Sequence, residues 1–106
     1  MRAGKLRKRL EIWENTPTTD EFGHDVESWK SIGFAWCSLM RLTGRELVEA
    51  KQIREDVSHK ITMRYDRRIT TKHRLELGSR VFEFASVDNV GERNEQLEII
   101  AIERPT

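Results

Sequence analysis

The sequence predicts a mainly β fold: a small antiparallel β-barrel, or a sandwich, with one short α-helix and long loops. Apolar and polar residues alternate in several short segments, as in strands that bury one face. Turn residues separate these segments at short intervals. Only one stretch places its apolar residues at helical spacing.

Length and composition limit the size of the core. The 106 residues fit a single domain, which we take as residues 1–106. Hydrophobic residues make up 37% of the chain and charged residues 35%. We therefore expect a small core with polar arms that gain order from partners. The net charge of +1 argues against general nucleic-acid binding.

The first third of the chain predicts a strand, a long arm and a returning strand. Residues 6–13 alternate in character, and residues 15–20 are a polar run with a proline that favours a loop. Residues 21–24 form the tip of the arm, where Gly23 can adopt positive φ. Residues 26–29 return as a short strand. The predicted buried face of the first strand consists of Leu6, Leu10 and Ile12.

The most apolar stretch, residues 34–42, is predicted to be a core strand. Residues 31–33 include a glycine and predict a bend or a bulge before it. Its predicted core side chains are Phe34, Trp36, Leu39 and Met40.

The single predicted helix spans about residues 44–54. Thr43 and Glu46 stand at the spacing of a capping box, in which each side chain bonds the other's backbone N–H. Apolar residues follow at helical spacing: Leu47, Ala50 and Ile53. Because so short a helix is marginal alone, it must pack on the rest of the domain.

Four strands are predicted in the second half. Residues 57–65 alternate cleanly, and residues 74–77 and 81–87 are joined by a glycine–serine turn. Residues 88–94 are a polar hairpin loop before the last strand, residues 96–103. The side chains predicted to share a face of the first of these strands are Val57, His59, Ile61, Met63 and Tyr65. Those predicted to point from the last strand into the core are Leu97, Ile99 and Ile100.

No set of residues indicates catalysis, so we predict that the protein is not an enzyme and needs no cofactor. Cys37 lies in an apolar strand, which predicts a buried, inert thiol. The histidines lack the short fixed spacing of a zinc site. The acidic residues around His24 are interpreted as a solvated loop rather than a cation site. The three tryptophans, Trp13, Trp29 and Trp36, are predicted to pack in the core rather than to stack on nucleic-acid bases.

Charges are unevenly distributed along the first 27 residues. The basic residues of the N-terminus are Arg2, Lys5, Arg7, Lys8 and Arg9. The acidic residues that follow are Glu11, Glu14, Asp20, Glu21, Asp25 and Glu27. These two patches are either solvated surfaces or partners that pair between neighbouring subunits and set their register. The basic residues with Trp13 also define an alternative function, a small β-barrel nucleic-acid-binding protein.

Several segments together resemble a known family. They are residues 6–12, 20–23, 26–29, 35–39, 42–47, 59–65, 78–84 and 89–94. In this order and spacing they are similar to the head–tail joining (head-closure, or stopper) proteins of long-tailed bacteriophages and prophages.

The resemblance implies an architectural role. Such a protein forms a homo-oligomeric ring between the portal or adaptor ring and the tail terminator or tail tube. The ring closes the DNA-filled head and provides the docking surface for the tail. DNA passes through its lumen without sequence-specific binding, and no membrane is involved.

The resemblance also implies a location and a set of contact residues. The location is the head–tail interface of the virion, after assembly in the host cytoplasm. We expect no signal peptide or membrane span, because no apolar run follows the basic N-terminus. The family has no catalytic residues, and its functional regions are loops and ring interfaces. The residues expected to contact the ring, the channel or a partner are Glu21, Phe22, Gly23, His24, Thr43, Gly44, Arg45, Glu46, Glu49, Gln52, Arg54 and Arg93.

Overall fold

Strands dominate the computed structural model, which describes residues 6–104. The strands are β1 (Lys8–Asn15), β2 (Thr18–Thr19), β3 (Asp25–Val26), β4 (Trp29–Arg41), β5 (His59–Arg64), β6 (His73–Leu77), β7 (Arg80–Asn89) and β8 (Gln96–Arg104). The helix α1 spans Gly44–Ala50, and a 3-10 turn spans Val90–Glu92. Arg2 and Lys5, two of the basic residues of the N-terminus, lie outside the described residues. No helix within residues 6–104 is long and apolar enough to cross a membrane.

Six strands close into an antiparallel barrel in the order β1-β4-β5-β8-β7-β6. The strands β2 and β3 form a separate two-stranded sheet. Closure gives every barrel strand two hydrogen-bonded neighbours and so removes the exposed edges of an open sheet. The predicted β fold with one short helix is confirmed, and the barrel is the correct alternative to the sandwich.

Strand direction gives the barrel two distinct ends. All neighbouring barrel strands are antiparallel, so successive connections alternate between ends. The end that carries residues 16–28, the β5–β6 connection and the β7–β8 connection is called the arm end. The opposite end, with α1 and the β6–β7 turn, is called the helix end.

The barrel interior is filled by inward side chains of all six strands, as expected for so narrow a barrel. The fully buried set includes Phe82, Ile61 and Leu75. The other buried members of this cluster are Leu10, Ile12, Cys37, Met63, Ile69, Phe84, Leu97, Ile99 and Ala101.

The helix covers the outside of the barrel rather than its mouth. Buried Ala50 of α1 packs with Leu42, Val57 and Ile102 in a second apolar cluster. Ile100, predicted to point into the core with Leu97 and Ile99, packs against this second cluster rather than in the barrel interior with them. The reason is alternation, since Ile99 and Ala101 on either side point inward.

The predicted helix is too long and its predicted cap is wrong. It ends at Ala50, and the following residues form turns in which Ile53 N–H donates to the Ala50 carbonyl at 3.0 Å. The Thr43 side chain makes no capping hydrogen bond. The Thr43 carbonyl accepts the first helical hydrogen bond, from Leu47 N–H at 3.3 Å. The Glu46 carboxylate accepts from Lys60 Nζ at 3.3 Å, so it does not reach back to the cap.

The two strands predicted for residues 26–42 are largely one. β4 runs unbroken for 13 residues, and the predicted bulge is confirmed within it. Ile12 pairs with Gly33 and Trp13 with Ser31, which leaves Ile32 as the extra residue.

The predicted core residues of β4 point mostly to the wrong side. Ala35, buried Cys37 and Leu39 pack toward the interior. Phe34, Trp36 and Met40 are therefore on the outer face, and more than half of each side chain is exposed. The prediction weighted bulk over strict alternation, whereas a six-stranded barrel takes small side chains at some inward positions.

Two predicted boundaries in the second half also shift. β5 begins at His59, because Val57 already packs beneath the helix. Tyr65 follows the strand and is 36% exposed, so the expected shared face ends at Met63. β7 continues to Asn89, within the stretch predicted as a loop.

Candidate functional site

An acidic hairpin, residues 16–28, projects from the arm end and is called the arm. It continues the β1–β4 ladder beyond the barrel: Asn15 pairs with Trp29, and Thr16 N–H donates to the Ser28 carbonyl at 2.7 Å. Thr18 then pairs with Val26. Four residues on each side of the turn, 16–19 and 25–28, give the arm a length of about 13 Å. The molecule accordingly measures 47 × 28 × 28 Å along its principal axes.

The arm tip is a turn organised by one side chain. The Asp20 carboxylate accepts from the backbone N–H of Phe22 at 2.9 Å and of His24 at 2.8 Å. Gly23 has φ of 82°, which residues with a Cβ rarely adopt. This turn presents the Phe22 side chain outward with 76% of its surface exposed.

The arm carries acidic residues and neither lysine nor arginine. Within the described residues Glu21, Asp25 and Glu27 form no ion pair, while Asp20 lies 3.7 Å from the imidazole of His24. The arm therefore offers three unpaired carboxylates around an exposed aromatic ring.

The outer face of β4 carries a row of exposed apolar side chains, here called the stripe: Phe34, Trp36 and Met40. Their exposed fractions are 53%, 57% and 51%. Surface apolar residues are common singly, but a row of three is the kind of patch that marks an interaction site.

Arginine and aromatic groups combine beside the stripe. The guanidinium carbon of Arg9 lies 4.3 Å from the ring centroid of Phe34. Arg9 is the register partner of Trp36 on the adjacent strand. Glu11, the register partner of Phe34, also lies beside the stripe and accepts a hydrogen bond from Ser31 Oγ at 2.7 Å. The stripe is therefore aromatic, with an arginine beside Trp36 and a carboxylate beside Phe34.

The helix end contains an open cleft with three arginines. It is lined by Arg41, Ser58, His59, Ser79, Arg80, Glu103 and Arg104. Arg80 binds the Glu103 carboxylate through Nε at 2.8 Å and through a terminal nitrogen at 3.1 Å. Arg104 contacts Glu83 and Asp56, each at 3.0 Å. Two of the three arginines are thus already neutralised.

A serine, a histidine and a glutamate meet in this cleft. Ser58 Oγ lies 2.8 Å from His59 Nδ1 and accepts from the backbone N–H of Glu103 at 3.1 Å. His59 Nε2 lies 3.8 Å from the Glu103 carboxylate, which is beyond hydrogen-bonding distance. Ser58 instead links β8 to the segment before β5, so the group acts as a structural clamp.

Electrostatics in the cleft follow from burial and charge. Burial lowers the pKa of His59, with Arg80 and Arg41 acting in the same direction and Glu103 against it. The hydrogen bonds from Arg80 lower the pKa of Glu103. At neutral pH the cleft therefore holds a neutral imidazole beside a charged carboxylate.

Reactive and metal-binding groups are sparse within residues 6–104. Cys37 is buried, and burial raises the pKa of its thiol to about 12, in line with the predicted inert cysteine. The described residues contain no group of three histidine, cysteine or acidic side chains placed to hold a metal ion.

The tryptophans only partly match the prediction of core packing. Trp13 and Trp29 are half-buried, and the Arg74 guanidinium lies 4.1 Å from the Trp29 ring centroid. Trp36 is exposed in the stripe, so its predicted core role is wrong.

The whole chain matches one protein family. The model of the phage head completion protein family covers residues 1–104. The chain belongs to this family. A head completion protein is a structural component of the phage head, so the resemblance to phage head-joining proteins is confirmed.

Two solved structures show how the fold of this head completion protein recurs. The solution structure of protein SF1141 from Shigella flexneri 2a superposes with a TM-score of 0.74 at 23% identity, covering 97% of this chain and 96% of that one. A chain in the virion of a native gene transfer agent particle gives a TM-score of 0.68 at 18% identity, covering 95% and 97%. No curated protein matches the sequence significantly.

The contact residues expected for the head completion protein fall at both ends of the barrel. Glu21, Phe22, Gly23 and His24 are at the arm tip. Arg93 is in the β7–β8 connection, also at the arm end, where its N–H donates to the Val90 carbonyl at 3.4 Å.

The other expected residues surround the helix end. Arg45 and Glu49 form an exposed ion pair at 3.2 Å, and Arg54 pairs with Asp56 at 3.0 Å. Thr43, Gly44, Glu46 and Gln52 lie in and beside the same helix. The stripe was missed as a surface, although its alternating pattern in residues 34–40 was the signal that could have revealed it.

Proposed function

We propose that this head completion protein forms a homo-oligomeric ring between the portal or adaptor ring and the tail. The ring closes the DNA-filled head and offers the surface on which the tail terminator or tail tube docks. DNA crosses its lumen without sequence-specific contacts. Assembly takes place in the host cytoplasm, and the protein then stays at the head–tail interface.

Besides family membership, one observation supports ring formation: a single chain has two different exposed surfaces. The arm bears Phe22 with unpaired carboxylates, whereas the stripe bears Trp36 beside Arg9. Rings form when each subunit presents two different complementary surfaces to its neighbours. Individually weak contacts then add around a closed ring.

The expected contact residues fit this arrangement as proposals. The arm tip (residues 21–24) is the surface for the contact between subunits. Arg93 lies at one end of the barrel, and the α1 segment with Arg45 and Glu49 lies at the other. A subunit standing between two larger assemblies needs a surface at each end. We assign one end to the portal side and the other to the tail side.

Deleting the gene from the phage or prophage that carries it tests the proposal. Electron microscopy after lysis should show heads that have lost their DNA beside free, complete tails. Supplying the wild-type chain from a plasmid should restore joined particles. Joined, infectious particles without the protein would overturn the proposal.

A further inference from the structure

We propose that the arm of one head completion protein docks on the stripe of the next copy, with Phe22 against the Trp36 region of its neighbour. This inference rests on the proposed ring and identifies the two surfaces that would build it. The occupant of the stripe is a second copy of this chain, and the contact is head-to-tail.

Apolar complementarity supports the match. Phe22 and Val26 on the arm are 76% and 44% exposed. More than half of each stripe residue is also exposed within its own chain. Large aromatic side chains such as Trp36 dominate binding energy at protein interfaces when they become fully buried.

Charge complementarity identifies the partner. Glu21, Asp25 and Glu27 of the arm have no ion-pair partner among the described residues, and neither has Arg9 beside Phe34. Arg64 lies exposed at the end of β5, the other neighbour of β4, and is likewise unpaired. The neighbouring Glu11 carboxylate is engaged by the Ser31 hydroxyl at 2.7 Å. An acidic, aromatic hairpin thus matches an aromatic row that has Arg9 and Arg64 on the strands to either side.

Arm geometry favours a contact between copies over one within a chain. The Thr16–Ser28 bonds and the Thr18–Val26 pair extend the β1–β4 ladder away from the barrel. Folding back onto its own β4 would break this ladder. A neighbouring copy can accept the arm with the ladder intact.

Cross-linking in assembled particles tests the docking. Glu21→Cys and Ser38→Cys are introduced together, because Ser38 lies between Trp36 and Met40 and Glu21 is next to Phe22. Particles are treated with a short bifunctional maleimide and separated by denaturing electrophoresis. Native Cys37 is buried with a raised thiol pKa, so wild-type particles supply the background.

The expected result is a ladder of covalent oligomers from the double variant alone. Each single variant should give no ladder, because a head-to-tail contact does not bring a residue near its own copy. The pair Glu21→Cys with Asp88→Cys is the matched control, since exposed Asp88 lies on β7, three strands from β4 in either direction.

Other outcomes distinguish failure of the docking from failure of the ring. A dimer from either single variant, or an equal ladder from the Asp88 control, would overturn the docking. Multiple copies per particle without any ladder would overturn the docking and leave the ring standing. Absence of the wild-type protein from particles would overturn the proposed function itself.

A second measurement covers the case in which the cysteine variants fail to assemble. Trp36→Ala should unfold at the wild-type temperature but lower incorporation into particles at least tenfold. Trp36→Phe, which keeps an aromatic ring, should retain incorporation. Normal incorporation of Trp36→Ala would overturn the docking.

Discussion

Arg80 holds Glu103 by two hydrogen bonds, at 2.8 and 3.1 Å, and so ties the start of β7 to the end of β8. The same guanidinium carbon lies 5.1 Å from the ring centroid of Phe82. The pair stands at the open mouth of the barrel above its most buried aromatic side chain. Arg80 therefore contacts both a surface carboxylate, that of Glu103, and a core side chain, that of Phe82.

Removing the charge of this pair should destabilise the barrel modestly. Glu103→Gln is expected to lower the free energy of unfolding by about 1 kcal/mol, since the pair has good geometry but is partly exposed. Glu49→Gln is the control, because its pair with Arg45 is much more exposed and contributes less than about 0.5 kcal/mol. Urea unfolding measures both, and equal losses would contradict the special role of Glu103.

Stability should fall on mild acidification because of His59. Its folded-state pKa lies below the ordinary value of 6.5, so the unfolded chain binds a proton more readily. Above pH 6.5 His59 is neutral in both states and does not reduce the free energy of unfolding. Below pH 6.5 the free energy of unfolding declines until the pH reaches the folded-state pKa, by at most about 1.4 kcal/mol per pH unit from this one group. Glu103 acts in a separate window, because its lowered pKa removes stability only below its ordinary 4.5.

Urea unfolding between pH 7.5 and 5.5 tests the assignment. His59→Gln should flatten the slope in this range, since it removes the titrating group. His24→Gln, at an exposed site on the arm, is the matched control for a histidine-to-glutamine change outside the cleft. The same slope in His59→Gln and the wild type would contradict the prediction.

Truncating the barrel core should have a far larger effect than truncating the stripe. Phe82 is fully buried among the inward side chains, so Phe82→Ala should cost about 3–5 kcal/mol. That loss is a large part of the stability of a small domain. Trp36→Ala removes as bulky a ring from an exposed site and should change stability by less than about 0.5 kcal/mol. Thermal unfolding of the isolated variants compares their stabilities. A large loss of stability in Trp36→Ala would mean that Trp36 packs in the core.

This contrast shows what the sequence could predict and why. Alternation in residues 57–65 identified β5, and the glycine–serine turn identified the β6–β7 hairpin, because both signals are local. The inward or outward direction of β4 depends on the bulge at Ile32 and on the packing of Cys37 in the barrel interior. Those are tertiary facts, so residue size alone assigned Phe34 and Trp36 to the wrong side.

For the candidate site, the sequence likewise predicted the local feature and not those that depend on the tertiary structure. A polar run followed by Gly23 identified the arm tip, since its turn chemistry lies within five residues. The clamp of Ser58, His59 and Glu103 was not predictable, because it joins residues 45 positions apart through barrel closure. The stripe is a surface only once the direction of β4 is known.

The β6–β7 turn should require a residue that accepts positive φ. Gly78 has φ of 60°, and a Cβ built there meets nothing within 4 Å. A substitution at Gly78 is therefore destabilising because of the backbone conformation and not because of a clash with neighbouring atoms. Gly78→Ala should cost about 1–2 kcal/mol. Gly78→Asn should cost less, since asparagine tolerates this region. Equal unfolding midpoints for Gly78→Ala and the wild type would contradict the prediction.

Deleting residues 19–25 should separate folding from assembly. The barrel ladder ends at the Asn15–Trp29 pair, and the arm beyond it contributes no residue to either buried cluster. The shortened chain should therefore keep its circular dichroism spectrum, and its free energy of unfolding should lie within about 1 kcal/mol of the wild-type value, because exposed segments contribute little to stability.

Arg45→Glu, which reverses an exposed charge on α1, should likewise fold as the wild type does. Both variants should fail to restore joined particles in cells that lack the wild-type gene. A shortened chain that is folded and fully restores infectivity would remove the arm from the assembly interface, whereas loss of the dichroism signal would make the arm part of the fold.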